Sequence, residues 1–472
     1  MVASSSTPQG TGERPNIIYV MADDMGWGDP GCYGATKIPT PHMDRLAGEG
    51  VRCTDAHSSS AVCTPSRYGA LTGRYCWRTS LKRWVLMGLS PPLLSPERVT
   101  VASFLREHGY ATAAVGKWHL GLGWPTRDGA EPQPDASNVD FEQPLTGGPN
   151  TVGFDYFFGI SASLDMPPYC FIENDRTVGV PSLEKDPYNA QQRPGPMVPG
   201  WKDEEVDTTF ADKACWFMDQ HVRRHPDVPF FLWLTPSAPH RPCVPPPFTQ
   251  GRSQAGARGD MVCVVDWVVG RVIETLDRLG VRDNTLLIVT SDNGARLTCH
   301  DGNDYGHKSC GDWRGQKADA WDGGHREPFI ARWPGRIEPG TVCDDTICLI
   351  DLMATCADVI GEDLPDGAAP DSVSALPALL GRSEGRPARE FVIHHSGDGM
   401  FAIRQGKWKL IEGLGSGGFS EPRRPEPGPD DPPGQLYDME ADPAESRNLW
   451  AERPEIVRQL RDTLERVRQA PH

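Results

Sequence analysis

No stretch of this 472-residue chain approaches the roughly 18 consecutive apolar residues that a bilayer-spanning helix needs. The longest candidates, Val228 to Leu234 and Met261 to Val269, are short, and Asp266 interrupts the second. The opening residues, MVASSSTPQGTGERP, lack the apolar centre of a secretory leader, which predicts a cytoplasmic location. Positive charge is scarce too: 47 Lys and Arg stand against 64 Asp and Glu, a formal net charge of −17. So acidic a chain is no general binder of nucleic acid or membrane surfaces, and an anionic substrate would have to be drawn in by a local cluster of cations. The 13 cysteines are scattered without a C-x-x-C pair, which disfavours a zinc ribbon or a thioredoxin-like site and predicts mostly buried, reduced thiols. No internal repeat occurs, and no low-complexity tract follows the first dozen residues.

What is present is enough apolar residue, 38%, for a large core, in a length that suggests two or three domains at about 150 residues each. The 50 glycines and 45 prolines predict long connections. Four β-branched or aromatic runs each end in polar residues. Asn16 to Met21 runs into Asp23 and Asp24, and Tyr110 to Val115 into Lys117 and His119; Pro229 to Leu234 leads to His240, and Thr285 to Thr290 to Asp292 and Asn293. Such runs read as strands buried on both faces. Helical patterns at Met43 to Gly50, Thr100 to His108 and Arg258 to Leu279 lie between them. The alternation predicts an α/β fold, a large, mostly parallel mixed sheet sandwiched by helices, with its ligand beyond the carboxyl ends of the strands. The tail differs. Phe391 to His395, Met400 to Arg404 and Lys407 to Ile411 read as antiparallel strands, and Glu452 to Ala470 as a closing amphipathic helix. The expected organisation is a disordered N-terminus over 1–14, a catalytic α/β domain over 15–374, and a smaller C-terminal α+β subdomain over 375–472.

The chemistry concentrates at those strand ends. Asp23, Asp24, Asp292 and Asn293 offer hard oxygen donors, which suit Ca2+ or Mg2+ rather than zinc, although an Asp pair after a strand is also a common helix cap and Asp-Asn-Gly a common turn. Arg67, Lys117 and Lys317 add positive charge, and His119 and His240 titrate near neutrality. Pro65 suits the first turn of a helix, which would set Cys63 at a positive N-terminus beside Arg67 and lower its thiol pKa.

Two strings carry a resemblance. Ser60-Ala-Val-Cys63-Thr-Pro65-Ser-Arg67-Tyr-Gly-Ala-Leu71-Thr-Gly73-Arg74 resembles the sulfatase signature, departing only at Ala70, where the family prefers a larger apolar residue. Gly109 to Gly121, with Gly116-Lys117-Trp118-His119, resembles the second sulfatase pattern. Asp23-Asp24, Pro239-His240, Asp292-Asn293-Gly294 and Gly315-Gln-Lys317 follow in the family's order, so that the resemblance extends from residue 15 to about 450. It implies an alkaline phosphatase-like fold and sulfate monoester hydrolysis on an aryl or carbohydrate sulfate. It also implies Ca2+, with Mg2+ second, on Asp23, Asp24, Cys63, Asp292 and Asn293, and conversion of Cys63 to Cα-formylglycine by a formylglycine-generating enzyme. One hydroxyl of the hydrated aldehyde, helped by Asp292, would attack sulfur. His240 and Lys317 would protonate or stabilise the leaving oxygen, His119 would assist expulsion of sulfate, and Arg67 and Lys117 would hold the diol and the developing charge.

Substrate contacts are expected from Trp27, Trp118, the turn Leu164-Asp165-Met166-Pro167, and the loop from Asn303 to Asp312 with His307 and Lys308. His394 and His395 follow a strand in the tail and read as structural or exposed rather than catalytic. Three rivals stand beside the sulfatase reading: a redox or metal-storage role for the thirteen cysteines, which their scattered spacing does not support; a phosphonate monoester or phosphodiester hydrolase of the same superfamily; and a catalytically silent protein that captures sulfated glycans. The last should have lost the Cys or a metal ligand, and none is missing.

Overall fold

The computed structural model describes residues 14–297, 305–383 and 387–470. The expected disordered N-terminus falls almost wholly outside them, as do Asn303 and Asp304 of the expected substrate loop. In chain order the first half holds β1 (Asn16–Ala22), α1 (Pro41–Gly48), β2 (Val51–His57), α2 (Cys63–Thr72), α3 (Val101–Glu107), β3 (Ala111–Lys117) and β4 (Tyr156–Ile160). Four two-residue strands follow: β5 (Ile172–Glu173), β6 (Arg176–Thr177), β7 (Leu183–Glu184) and β8 (Pro196–Met197). The second half holds α4 (Val206–Arg224), β9 (Phe230–Thr235), α5 (Gly256–Leu279), β10 (Thr285–Ser291), β11 (Arg326–Arg332), β12 (Thr341–Cys343), β13 (Ile347–Cys348) and α6 (Leu352–Ile360). After the short α7 (Leu376–Leu379) come β14 (Val392–His395), β15 (Phe401–Gln405), β16 (Trp408–Ile411), β17 (Gln435–Asp438) and α8 (Pro454–Gln469).

The large sheet has the order β12-β2-β11-β10-β1-β9-β3-β4-β5-β6, with β13 also on β2. Its centre, β10-β1-β9-β3-β4, is parallel throughout. β1 shows why. Ile17, Tyr19 and Met21 enter one core with α2, α3 and α6, while Ile18, Val20 and Ala22 enter another with α1, α4 and α5. A strand buried on both faces needs helices on both sides, and βαβ crossovers supply them. β11 runs antiparallel to β10, and β2 antiparallel to β11. β2 therefore points the same way as β1 and delivers Cys63 to the edge where β1, β3, β9 and β10 end.

The second sheet, β14-β15-β16-β17, is antiparallel. Val457, Leu460 and Leu464 of α8 pack on it in a core that Tyr75, Trp77 and Ile350 of the large sheet's flank also enter. Three of its strands and α8 match the sequence reading; β17, beyond the Pro/Gly-rich break, is an addition.

Candidate active site

All ten core residues expected from the sequence meet at that edge. Asp23, Asp24, Cys63, Arg67, Lys117, His119, His240, Asp292, Asn293 and Lys317 are each between 0 and 7% exposed. Cys63 opens α2, as Pro65 implied, with Val62 as the extended cap residue. Around its sulfur the pairing is dense. Lys317 Nζ lies 3.3 Å from Sγ, which in turn lies 3.5 Å from Asp23 Oδ1. Lys317 also holds both oxygens of Asp24, at 2.6 and 2.8 Å. Lys117 donates to Asp23 Oδ2 at 2.7 Å, and the Arg67 guanidinium takes Asp292 Oδ2 at 2.8 and 2.9 Å. Asp24 N donates to Asp292 Oδ1 and Asn293 Nδ2 to Asp24 Oδ1.

Three carboxylates are thus matched by three cations in a space from which water is nearly excluded, where charge interactions are strong. Burial pushes the Asp24 carboxyl up, but the Lys317 ammonium overrides it and holds Asp24 below the usual carboxylate range. Burial lowers Lys317, but Asp24 and its neighbours raise it beyond the ordinary lysine range, so it stays a cation. Asp292 is raised, by burial and by Asp23 and Asp24 beside it, against Arg67.

Cys63 corrects the sequence reading. The helix N-terminus and the cations do favour the thiolate, but complete burial outweighs them and, with Asp292 and Asp23 nearby, pushes the thiol up to about 12. As a cysteine, this residue is a neutral thiol.

The two histidines have fixed tautomers. His119 Nε2 donates to the Leu86 carbonyl at 2.8 Å, which leaves Nδ1 as a buried acceptor with no partner. Burial and the Lys117 charge push its pKa well down. His240 Nδ1 donates to the Arg241 carbonyl at 2.7 Å, leaving Nε2 bare, 3.8 Å from Asp24 Oδ2; burial and Lys317 push it down to about 3. The turn that carries His240 is held by Asp207 of α4, which accepts from the Ser237 and Ala238 amides. Asp207 sits in a mixed helical pattern that gave no sequence signal.

The donor set fits a hard dication. Asp23 and Asp24 oxygens lie within 4.8 Å of Cys63 Sγ and of a His240 ring nitrogen, and Asn293 Oδ1 is buried without a hydrogen-bond partner. A second cluster, His57, His325 and His394, does not have that character. His325 and His394 stack with centroids 3.7 Å apart and planes 12° apart, so no point within coordination reach lies in both ring planes. His57 Nδ1 meets His325 Nδ1 at 3.1 Å, and His394 Nδ1 donates to the Ser58 carbonyl. The trio is packing, as expected for His394; His395 is likewise buried.

The expected substrate contacts divide. Asp165 stands at the site, fully buried, with Oδ1 3.9 Å from His240 Nδ1 and lacking a hydrogen bond, while Oδ2 meets Arg193 and Arg241. Trp118 does not: it packs edge-on against Phe154 in the core, 2% exposed, and has no face for a ligand. His307 is tied to Asp29, which Arg258 grips while also binding the Asp24 carbonyl. It braces the Asp24 turn from behind. With Trp27 and Lys308 it lines a separate shallow cavity of about 330 Å³.

Comparison with known proteins agrees with this geometry. The sulfatase family model matches residues 15–362. The N-acetylgalactosamine-6-O-sulfatase of Bacteroides thetaiotaomicron is 38% identical over 499 residues, covering 97% of this chain and 93% of that protein. Human arylsulfatase A is 32% identical over 475 residues, covering 95% and 86%. A solved structure concerned with glycosaminoglycan metabolism by Bacteroides thetaiotaomicron superposes with a TM-score of 0.83 at 36% identity, covering 97% of this chain and all of that one. The chain belongs to the sulfatase family and is an enzyme that hydrolyses sulfate esters.

Proposed function

We propose that the substrate is a sulfated carbohydrate and that Cys63 carries the reacting group after conversion to formylglycine by a maturation enzyme. The observation that carries this is the enclosure of Cys63 by Lys317, Lys117, Arg67 and the Asp23–Asp24–Asp292 carboxylates. A neutral, buried thiol offers one poor nucleophile, whereas the hydrate of the aldehyde supplies two oxygens, one to attack and one to release sulfate. A calcium ion held by Asp23, Asp24, Asp292 and Asn293 would supply further positive charge against the sulfuryl oxygens.

The chain's own residues do the rest. Arg67 and Lys117 hold the oxygens of the reacting group and the charge that develops there. Lys317 keeps its proton at Nζ, 3.3 Å from Sγ, and is the donor best placed for the departing oxygen. His119 offers a bare Nδ1 that can take a proton, and His240, with Nδ1 on the Arg241 carbonyl, turns Nε2 toward Asp24 as a second base. Asp165, with one oxygen unpartnered, and Arg193 and Arg241 form a polar wall suited to sugar hydroxyls and a neighbouring anionic group. The relative acting on N-acetylgalactosamine 6-sulfate supports a hexosamine sulfate as the first substrate to try.

Tryptic mass spectrometry of the peptide around Cys63 tests the proposal. Conversion of thiol to aldehyde lowers its mass by about 18 Da, and an unconverted cysteine in protein that turns over would refute it. Lys317→Met should cut kcat by about 10²- to 10³-fold with little change in KM, as expected for a charge that matters most in the transition state.

A further inference from the structure

The segment after α2 crosses directly over the start of that helix. Thr64 Oγ1 accepts from the Leu86 amide, and the Leu86 carbonyl accepts from His119 Nε2. Two of the chain's exposed large apolar side chains, Trp84 and Met87, sit on this same short segment, at 37 and 42% exposure. Trp84 has φ +57°, a left-handed conformation that a bulky residue adopts only under strain. Its amide is held by the Gly397 carbonyl at 2.8 Å. Strain retained on an exposed aromatic beside a reaction centre points to a ligand contact.

The surroundings of Trp84 come from three distant parts of the chain. Phe419 stacks on it, centroids 5.8 Å apart and planes 30° apart, with its own amide fixed by Asp319 Oδ1. The Arg296 guanidinium, just past Asp292 and Asn293, lies 4.9 Å over the Phe419 ring. Gly397, against which the indole lies, donates its amide to the Ala318 carbonyl, and Ala318 N donates to Ala61 O. The aromatic pair is therefore built on the residue next to Lys317, whereas the Asp165, Arg193 and Arg241 wall is built on His240.

We propose that Trp84, backed by Phe419 and Arg296, is a stacking platform for a pyranose ring of the sulfated substrate. This rests on the carbohydrate reading above. The apolar face of a sugar ring matches a half-exposed indole, and the cation beside it suits a carboxylate or a second sulfate on the same glycan. Met87, on the same segment, is the other exposed large apolar side chain there among the described residues.

The test uses full-length Cys63→Ala protein, which keeps the cations but does not turn over, and a tetrasaccharide containing 6-sulfated N-acetylgalactosamine, by calorimetry. Adding Trp84→Gly should weaken binding about tenfold or more, while Trp84→Phe should stay within about threefold. Glycine takes φ +57° without strain, so Trp84→Gly should melt within about 3 °C of its parent. A purely structural tryptophan would not behave so. Unchanged affinity in Trp84→Gly, or affinity lost together with a large fall in melting temperature, overturns the platform alone. Failure of the Cys63→Ala parent to bind the tetrasaccharide strikes the carbohydrate reading, and the platform with it.

Discussion

At the scale of single residues, burial decides more than charge does. Cys63 sits at a helix N-terminus among three cations and is still pushed up to about 12, because complete burial, with Asp292 and Asp23 beside it, outweighs the Lys117 and Lys317 charges. His395 shows the same rule where no catalysis is involved. It is buried, donates Nδ1–H to the Ser396 carbonyl at 3.0 Å, and is lowered by burial to about 4. In the unfolded chain an ordinary imidazole titrates near 6.5. Between those two values the unfolded state binds the extra proton, so this group's contribution to stability is present above pH 6.5 and is lost as pH falls toward 4. From pH 8 to pH 5 the loss is about 2 kcal/mol. His395→Asn keeps an amide donor for Ser396 but cannot titrate. It should be less stable than the parent at pH 8, with the gap narrowing by about 2 kcal/mol at pH 5 in urea denaturation. A gap that stays constant would mean the imidazole is not held neutral.

At the scale of elements, the second sheet reaches the nucleophile's loop as well as its own core. Ala61 N donates to His395 O, and His394 Nδ1 to Ser58 O, so β14 fixes the turn between β2 and α2. Lys409 of β16, fully buried, crosses to Asp322 and Glu445, each at 2.8 Å, and to His325 Nε2 at 3.1 Å. Removing it leaves Glu445 without its cation, while Asp322 keeps Arg326. Lys409→Met should therefore cost about 3 kcal/mol by chemical denaturation. The cost should shrink in mild acid, since burial already raises Glu445 to about 7 and a proton can replace the lost charge. The same contacts explain which elements were legible in sequence. β1, β3, β9 and β10 are continuous apolar runs and stand out. β2 and β11 do not, because Asp55, His57, Arg326, Glu327 and Arg332 are buried in them and take partners far away in the chain, such as Arg404 for Asp55, Ser58 for Glu327 and Glu49 for Arg332. Asp23, Asp24, Lys117, Asp292 and Asn293 were legible because they stand where strands end, and Cys63 because it opens a helix, whereas Arg67 inside α2 and Lys317 in the connection between β10 and β11 were legible through the resemblance. Trp118 was misjudged because adjacency to His119 does not say which way a side chain faces.

At the scale of the whole molecule, the family model ends at residue 362, and the sequence suggested a boundary near 375. The contacts across that boundary make the two parts interdependent. Tyr75, Trp77 and Ile350 share one core with β14, β15, β16 and α8. Buried ion pairs cross it as well: Arg404 with Asp55 at 2.6 Å, Lys409 with Asp322, and Arg389 with Asp351 at 2.8 Å. Were the second sheet to unfold first, Asp351 would be left buried without its Arg389 cation, Asp322 would keep only Arg326 of its two cations, and Ala61 N would lose its acceptor. Each such loss costs kilocalories, whereas an isolated four-stranded sheet with one helix has little core of its own to retain. Intermediates with one part folded are thereby penalised from both sides. Calorimetry should show a single transition whose van't Hoff enthalpy matches the calorimetric one, and Lys409→Met should move that one transition without splitting it. A chain cut after residue 374 should give no cooperative melt. Two resolved transitions in the intact protein, or a native-like melt from the truncated chain, would show instead that the catalytic layer stands alone and that the second sheet is an accessory to it.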